Sequence, residues 1–323
     1  MADEKVRKLA EEALDKLAAE LEAGKSEALQ NYLATMGRFH RYSWGNVLLI
    51  AWQRPTATRV AGYHTWRDLG RHVKEGERGI RILAPILTKD RERVEKPQNP
   101  DQPAAKRDDL FRLHGFRSAF VFDVQQTTGK PLPEFAKSTG DPKEFTDKLK
   151  ALVEKRGISL EYDKSIAPAQ GVSYGGKIRL MPDMQPAEEF SVLAHELAHE
   201  MLHHVKDQNR QPQALTETQA EAVAYVVCRG VGLETNGAAA DYISLYNGDK
   251  KTLAQSLSAI QDASSRILDE LLPREPRSPF HEKPADRTLG NGSSPSHEIP
   301  DAPNLTQESP ALQMPDQTIS FDR

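Results

Sequence analysis

This sequence of 323 residues has few features of a secreted or membrane protein. Its one cysteine, Cys228, cannot form a disulfide within the chain, which favours a reducing compartment. No run of 18 or more apolar residues occurs, so a membrane-spanning helix is not expected. The N-terminal stretch MADEKVRKLAEEALDKLAAEL is amphipathic and charged and does not have the apolar core of a signal peptide. We therefore expect a cytoplasmic protein with no membrane partner.

Charge is distributed unevenly along the chain. The formal net charge is −4, yet residues 37–93 contain 12 Lys and Arg against 5 Asp and Glu, a local excess of +7. Such an excess is typical of a face that binds anions. From Pro273 onward the sequence is rich in Pro, Ser, Asp and Glu and has almost no aliphatic clusters, which predicts a disordered tail.

The pattern of helices and strands predicts an α+β protein with two domains. The first half contains helical patterns at residues 1–36 and 42–53 and two strand-like runs, IRILAPIL and SAFVFDV. In the second half, a hairpin with a turn at Gly175-Gly176 precedes a series of helices. The predicted organisation is a small mixed α/β domain at 1–133, a Pro- and Gly-containing linker at 134–142, a second domain at 143–272 and a tail at 273–323.

The stretch FSVLAHELAHEMLHH, residues 190–204, combines an apolar helical stripe with an H-E-x-x-H motif. His195 and His199 are four residues apart, so both imidazoles leave one face of a helix and can bind one ion. Glu196 lies between them, where it can take a proton from water and pass it to a leaving amine. This pattern indicates a zinc-dependent metallopeptidase with Zn²⁺ as its cofactor.

A catalytic zinc needs a third protein ligand, and the histidines that follow the motif are too far away to supply it. His203 lies about 12 Å from His195 along the helix axis at 1.5 Å per residue, and the same argument covers His204. The longer motif with a third histidine requires Gly and His where this chain has Leu202 and Val205. The class of metallopeptidases with that longer motif is therefore excluded.

The later segment LTETQAEAVAYVV offers two carboxylates on one helical face, Glu217 and Glu221. Carboxylates beside an otherwise apolar helix face are costly to bury unless they bind or pair with a cation. We predict that Glu217 is the third ligand and that Glu221 orients a ligand imidazole. The reverse assignment stays open, because spacing alone does not rank the two.

Residues 143–235 resemble the ImmA/IrrE-type metallopeptidases through LAHELAHEMLHH followed by ETQAEAVAYVV. This resemblance implies a zincin-like fold and a protein substrate, which the sequence does not identify. Two positions depart from the family pattern: Gln219 stands where a third acidic residue is frequent, and Glu221 where an amide is frequent. The resemblance also implies that KIRL, residues 177–180, is the edge strand that holds an extended substrate.

Three blocks of the first half, FHRYSWGNVLLIAWQ, TWRDLGRHVKEGERGIRILAP and FVFDVQQTTGKPLP, resemble the N-terminal domain of ArdC-like antirestriction proteins. The similarity spans residues 25–133. It implies a domain that binds single-stranded DNA, followed by a zincin-like metallopeptidase, in a protein that protects mobile DNA from restriction.

Binding of a single strand requires cations along its backbone and aromatic faces for its bases. Not every aromatic residue of this half is expected to serve as such a face, because Trp52 and Trp66 lie in apolar surroundings and are expected in the core. The residues predicted to contact DNA are Arg38, Arg41, Tyr42, Trp44, Asn46, Arg54, Arg59 and Lys74.

The function that these patterns favour is a zinc metallopeptidase fused to a single-stranded DNA-binding domain and acting in antirestriction. One alternative is a non-catalytic protein that shields single strands and uses the metal only for its structure. Another is a DNA-dependent protease that clears proteins bound to DNA.

Overall fold

The computed structural model describes residues 2–25, 27–89, 111–132, 142–203, 211–234, 243–246 and 249–273. These residues all fall within one unit, Met1–Pro284. The predicted linker up to residue 141 and the predicted tail from residue 274 lie outside the described residues. The predicted domain boundaries therefore stay a prediction.

The fold mixes helices and strands, as the sequence predicts. The helices are α1 (Ala2–Glu22), α2 (Glu27–Arg38), α3 (Trp44–Gln53), α4 (Tyr63–Asp68), α5 (Lys143–Lys155), α6 (Pro186–Leu202), α7 (Gln213–Gly230), α8 (Ile243–Tyr246) and α9 (Lys250–Leu271). The strands are β1 (Val60–Gly62), β2 (Arg71–Val73), β3 (Ile80–Lys89), β4 (Phe111–Asp123), β5 (Thr127–Gly129), β6 (Ser159–Tyr162), β7 (Gly171–Ser173) and β8 (Lys177–Leu180).

The single helix expected at residues 1–36 is wrong, because the chain breaks into α1 and α2. Gly24 has a φ of +75°, a conformation that favours glycine and ends α1. The amide of Lys25 donates to the Glu20 carbonyl over 2.8 Å, which satisfies one of the last carbonyls of the helix. The break lets α2 turn and pack against α7.

The N-terminal sheet has the antiparallel order β1-β4-β3. The sequence expects a strand of only seven residues in SAFVFDV, but β4 begins earlier and pairs with β3 from Ile80↔Val121 to Lys89↔Phe111. Its inner face is buried, with Ile80, Ile82 and Val121 at most 3% exposed, and this face packs on α1 and α3. The smaller sheet β2-β5 lies beside α4.

The C-terminal sheet has the order β6-β8-β7 and corrects the expectation for KIRL. The predicted turn at Gly175-Gly176 is confirmed, and it joins β7 to β8 in an antiparallel hairpin. However, β8 also pairs in parallel with β6, so KIRL is the central strand of the sheet. Its Ile178 and Leu180 are fully buried, which a central position explains.

Helix α7 lies at the centre of the fold, packed against α2, α6 and α9. One hydrophobic core runs from Ala13 in α1 to Leu271 in α9, so the N-terminal and C-terminal halves share buried surface. Among the described helices, none combines the length and the apolar character that a bilayer crossing requires. The central position of α7 matters because it carries Glu217 and Glu221.

Candidate metal centre

Helix α6 is held in place by its apolar stripe. Pro186 occupies its first turn, where the N–H that proline lacks would have no partner within the helix. Glu188 and Glu189, in the same turn, interact favourably with the positive end of the helix dipole. Phe190, Leu193 and Leu197 are fully buried. Because these residues fix the rotation of the helix, His195 and His199 face away from the core stripe and toward α7.

Three side-chain atoms from two helices converge on one point. The Nε2 atoms of His195 and His199 are 3.1 Å apart. Oε2 of Glu217 lies 3.6 Å from Nε2 of His195 and 3.5 Å from Nε2 of His199. We call these three atoms the metal triangle. His195, His199 and Glu217 thus form a possible metal site of the described residues.

The dimensions of the metal triangle suit a tetrahedral cation. Ligand atoms at about 2.0–2.1 Å from a tetrahedral zinc are separated from one another by about 3.3 Å. The three observed separations, 3.1, 3.5 and 3.6 Å, bracket that value. Two imidazoles and one carboxylate are also the donor types of catalytic zinc sites. The Glu217 side chain is 52% exposed, so solvent reaches this side of the metal triangle.

Glu221 binds the back of a histidine of the metal triangle. Its Oε2 lies 3.4 Å from Nδ1 of His195, the nitrogen that faces away from the triangle. Burial alone lowers the pKa of His195, but the hydrogen bond to Glu221 and the charges of Glu196, Glu221 and Glu217 outweigh it, so the pKa is raised. A carboxylate on the outer nitrogen fixes the ring and makes Nε2 the available ligand atom.

Glu196 is a buried carboxylic acid beside the metal triangle, with only 6% of the residue exposed. Burial raises its pKa to about 7, the charges of Glu217 and Glu200 add to the rise, and His195 opposes it. Room for its carboxylate depends on Gly171 at the start of β7, since a Cβ there would lie 2.7 Å from Oε1 of Glu196. A pKa near neutrality suits a group that both accepts and donates a proton.

Glu200 was missed by the sequence reasoning, although it directly follows the motif. Its Oε1 accepts hydrogen bonds from the Ser173 hydroxyl and the Gly175 amide, and its Oε2 accepts one from the Gly176 amide, at 2.7–2.8 Å. A carboxylate therefore ties the β7–β8 turn to α6. The Gly175-Gly176 turn was the sequence feature that could have indicated this role of Glu200, because the amides of such a turn need a hydrogen-bond acceptor.

Strand β7 is the edge strand nearest to Glu196. In the described part of the chain it pairs only with β8, and it packs on α6. Gly171 and Ser173, at its two ends, contact Glu196 and Glu200 respectively. The edge strand beside Glu196 is thus β7, the immediate neighbour of KIRL (β8), which was expected at the sheet edge.

Gln219 does not face the metal triangle. It is buried, and its side-chain amide donates to the Ser256 hydroxyl of α9 over 3.1 Å. This residue therefore joins two helices, and its departure from the family pattern leaves the metal triangle unchanged.

The residues predicted to bind DNA are dispersed, and several are used inside the fold. Asn46 is 8% exposed, and its side-chain amide exchanges two hydrogen bonds with the backbone of Leu83 at 2.8 and 2.9 Å. Gln53 makes the same pair of bonds with Arg81. Both residues lie on α3, so their amides occupy the free edge of β3 as a neighbouring strand would.

The predicted cations have internal contacts as well. Arg41 donates to Asp269 over 3.0 Å, Lys74 donates to the Gln125 carbonyl over 2.9 Å, and the Arg59 amide donates to Asp123 over 3.1 Å. Nε of Arg54 lies 3.8 Å from the same buried Asp123. Arg38 is exposed and donates to the Thr35 hydroxyl.

The aromatic predictions have mixed outcomes. Tyr42 and Trp44 pack against the core while partly exposed. Trp66 is fully buried, as expected, and donates to the Phe122 carbonyl. The core expectation for Trp52 is wrong, because this residue is 41% exposed. Its position on the outer side of α3, beside Lys16, explains the difference.

Comparison with known proteins identifies a matching family model and a similar curated protein. Residues 7–118 match the family model described as the N-terminal domain of anti-restriction factor ArdC. The chain is also 25% identical, over 308 residues, to an uncharacterized protein of Bacillus anthracis. The match covers 83% of this chain and 52% of the relative, so the chain spans about half the length of the curated relative that it matches.

Two solved structures are also similar, and both are crystal structures of the antirestriction protein ArdC from the R388 plasmid. One is metal-free and the other is bound to Mn(II). Each is 18% identical to this chain, has a TM-score of 0.48, and covers 81% of this chain and 97% of the solved chain.

Proposed function

We propose that residues 143–272 form a zincin-like metallopeptidase domain in which His195, His199 and Glu217 hold a divalent cation. The observation that carries this proposal is the metal triangle, whose three donor atoms lie 3.1–3.6 Å apart on two helices. Two imidazoles and a carboxylate suit Zn²⁺ best and also accept Mn²⁺ or Co²⁺. Glu221 keeps the His195 ring in the orientation that binds the cation.

The reaction follows from the groups around the metal triangle. When bound, a divalent cation supplies Lewis acidity, which acidifies water and polarises a carbonyl. Glu196 takes the proton from the attacking water and delivers it to the leaving amine. The edge of β7 holds the substrate chain extended by backbone hydrogen bonds, and Glu200 keeps this strand in position against α6. The substrate class is a protein segment that can become extended.

We further propose that the N-terminal region, residues 1–133, binds single-stranded DNA and that the protein acts in antirestriction. The match of residues 7–118 to the family model supports this proposal. So does the local charge excess of +7 over residues 37–93. A cationic surface of this kind releases counterions when it binds a phosphate backbone.

Metal content and hydrolysis test the peptidase together. Wild-type protein loaded with Zn²⁺ or with Mn²⁺ is expected to hold one equivalent and to cleave an unfolded protein such as casein. His195→Ala loses the metal, whereas Glu196→Gln keeps it and loses about 10²–10⁴-fold in rate. His64→Ala, which removes an exposed imidazole elsewhere, is the matched control and retains both. Full hydrolysis by Glu196→Gln would contradict the proposed role of Glu196.

The Glu196→Gln variant also distinguishes a catalytic protein from one that only shields single strands. If proteolysis causes the antirestriction effect, Glu196→Gln loses protection of incoming DNA. Unchanged protection by this variant favours a strand-shielding protein with a structural metal. Stimulation of casein cleavage by added single strands favours a protease that acts on DNA-bound proteins.

Binding of a single strand is tested by its dependence on salt. We expect the logarithm of the binding constant to fall linearly with the logarithm of salt concentration, with a slope of about −0.7 per phosphate contact. A duplex of the same sequence is the control and is expected to bind less tightly. Equal binding of both forms, or binding that does not respond to salt, contradicts the proposal.

A further inference from the structure

A cavity of about 600 Å³ lies between α1, α2, α3 and the C-terminal end of α7. Four alanines, Ala13, Ala28, Ala34 and Ala51, contribute to its walls. Their small side chains leave the space open, and its volume falls within the range of about 300–1,000 Å³ typical of ligand sites. The residues of the metal triangle do not line this cavity, so it is a second candidate site.

The charged residues of the wall are mostly cationic. Lys16, Arg38 and Arg229 line the cavity, and Glu20 is its one acidic residue. Within the described residues, no carboxylate lies within ion-pair distance of Arg38, which donates a hydrogen bond to the Thr35 hydroxyl. Arg229 is 4.0 Å from Glu234, whose side chain is 90% exposed. Guanidinium groups in this setting are suited to bind an anion.

The two arginines influence each other. Partial burial of the guanidinium lowers the pKa of Arg38, the charge of Arg229 lowers it further, and the charge of Asp123 acts in the opposite direction. An anion placed between the two guanidinium groups removes this repulsion. A phosphate group suits this pair of arginines because its oxygens can accept the two parallel N–H hydrogen bonds that each planar guanidinium donates.

The indole ring of Trp52 also lines this cavity. Trp52 is 41% exposed although it lies on a helix whose aliphatic residues Val47, Leu48, Leu49 and Ile50 are buried. The Lys16 ammonium lies 4.4 Å from the centroid of the ring. Tyr32 also lines the cavity, and its hydroxyl donates to the Trp44 carbonyl, so the phenol is already engaged. The exposed indole is the large flat surface available for stacking.

We propose that this cavity, the cation pocket of Lys16, Arg38, Trp52 and Arg229, binds a nucleoside phosphate unit. The phosphate lies between Arg38 and Arg229, and the base packs against Trp52. This proposal deepens the proposed binding of a single strand and rests on it for the source of the nucleotide. The same chemistry is offered by the end of a strand and by a free nucleotide.

The cation pocket joins the two halves of the chain. Arg229 belongs to α7, the helix that carries Glu217 and Glu221. Gly37 at the end of α2 packs so closely on α7 that a Cβ would lie 2.7 Å from the Val226 carbonyl oxygen. Neither half alone supplies both arginines, so the test requires the full chain.

Titrations of the full-length protein at fixed ionic strength test the pocket. The probes are thymidine 5′-monophosphate, a 5′-phosphorylated strand of about ten thymidines, a length within the range of single-strand sites, and inorganic phosphate. We expect both nucleotide probes to bind. Arg38→Gln and Arg229→Gln should each weaken both by about 10- to 100-fold, as for loss of a hydrogen bond to a charged group. Arg67→Gln, a charge-matched change at an exposed arginine of α4, should leave both unchanged.

Two further variants separate the base from the phosphate. Trp52→Ala should weaken nucleotide binding by about tenfold, through lost stacking, and leave inorganic phosphate binding unchanged. Ala34→Leu fills the cavity without altering any charge and should block both nucleotide probes. A thermal melt of each variant checks that it is folded. Because the arginine and leucine changes act by different means, agreement between folded variants then places the effect in the cavity.

The outcomes distinguish the pocket from the wider proposal. If the oligonucleotide binds the wild type and all pocket variants equally, the pocket proposal is overturned and strand binding stands. If the monophosphate binds as expected and the oligonucleotide does not, the pocket stands and strand binding falls. Binding of inorganic phosphate with no added affinity for the nucleotide overturns the assignment of a nucleoside. If no probe binds, both proposals fail.

Discussion

The metal triangle and the predicted DNA-binding residues were inferred from the same sequence, but only the residues of the metal triangle come together in the fold. His195, His199 and Glu217 come together from two helices with donor atoms 3.1–3.6 Å apart. The N-terminal residues are spread over α2, α3 and the loops that follow, and the Asn46 amide is used by the backbone of β3. A group of polar side chains that converge on one another suits an ion, whereas polar side chains that bind backbone groups stabilise the fold.

The difference is one of length scale. Coordination requires ligand atoms within about 2.0–2.1 Å of one point, a condition that few arrangements meet. Binding of a phosphate backbone requires only a surface with excess positive charge, which many arrangements meet. Convergence therefore makes His195, His199 and Glu217 a candidate metal site, while single DNA-contacting residues are identified by experiments that separate structural from binding roles.

The largest effect is expected for the ligands themselves. Glu217→Gln replaces the anionic carboxylate of the metal triangle with a neutral amide, a much weaker ligand, whereas Glu221→Gln makes the same change behind His195. Loss of an outer carboxylate typically costs about 10- to 100-fold in metal affinity, and loss of Glu217 should exceed that. Competition with a chromophoric chelator measures both, with the exposed Glu75→Gln as the control. A larger loss for Glu221→Gln would reverse the assignment of the two carboxylates.

The next effect concerns the space around Glu196. In Gly171→Ala, the added Cβ would lie 2.7 Å from Oε1 of Glu196 and equally close to Val192, so the carboxylate must move. A displacement of about 1 Å costs on the order of 10²-fold in rate, while the ligands on α6 and α7 still bind the metal. Gly45→Ala, where the new Cβ meets nothing within 4 Å, is the matched control.

Rates of casein hydrolysis, together with metal content, decide the outcome for Gly171→Ala. Reduced hydrolysis with full metal content is expected. Unchanged hydrolysis would mean that the position of Glu196 beside β7 has no part in the reaction.

The sequence predicted that the two imidazoles lie together because a helical turn fixes the spacing of His195 and His199. It could not reveal Glu200 in the same way, since the partners of that carboxylate are backbone amides of a turn 24–25 residues earlier. The roles of Asn46 and Trp52 were hidden for a related reason. Nothing in YSWGN indicates that the edge of β3 lies beside it, and apolar neighbours on a helix do not tell which side of Trp52 faces solvent.

A smaller effect is expected at the β7–β8 turn. Glu200→Gln replaces one acceptor oxygen with an N–H₂ group that faces a backbone N–H, so at least one charge-assisted hydrogen bond is lost. We expect KM to rise by roughly three- to tenfold with a smaller change in kcat, because the strand that holds the substrate loosens while Glu196 stays in place. Faster hydrogen exchange at residues 171–180 would report the loosening directly.

The control for Glu200→Gln is Glu161→Gln, on the outer strand β6 of the same sheet. Its carboxylate pairs with Lys177 and Arg179 at the surface, where ion pairs contribute little. The idea that Glu200 positions β7 fails if Glu161→Gln raises KM as much, or if exchange at the turn does not change.

The smallest effect on activity, and the one that bears directly on the N-terminal half, is expected for Asn46. Asn46→Ala leaves the N–H and C=O of Leu83 without their side-chain partner, at a cost of about 1–3 kcal/mol in the free energy of unfolding. That cost lowers Tm by roughly 2–4 °C per kcal/mol in a protein of this size. Lys74→Ala, at an exposed position, should shift Tm little.

Thermal melts and strand binding, both measured on the same two variants, separate the roles in the N-terminal half. At a temperature well below Tm, Asn46→Ala should bind a single strand as the wild type does, because its amide serves β3. Lys74→Ala should weaken binding modestly and reduce the slope of the salt dependence by about 0.7 if its ammonium contacts a phosphate. An Asn46→Ala protein with unchanged Tm and lost strand affinity would instead return Asn46 to the DNA interface, and the contrast between the two regions would then disappear at that residue.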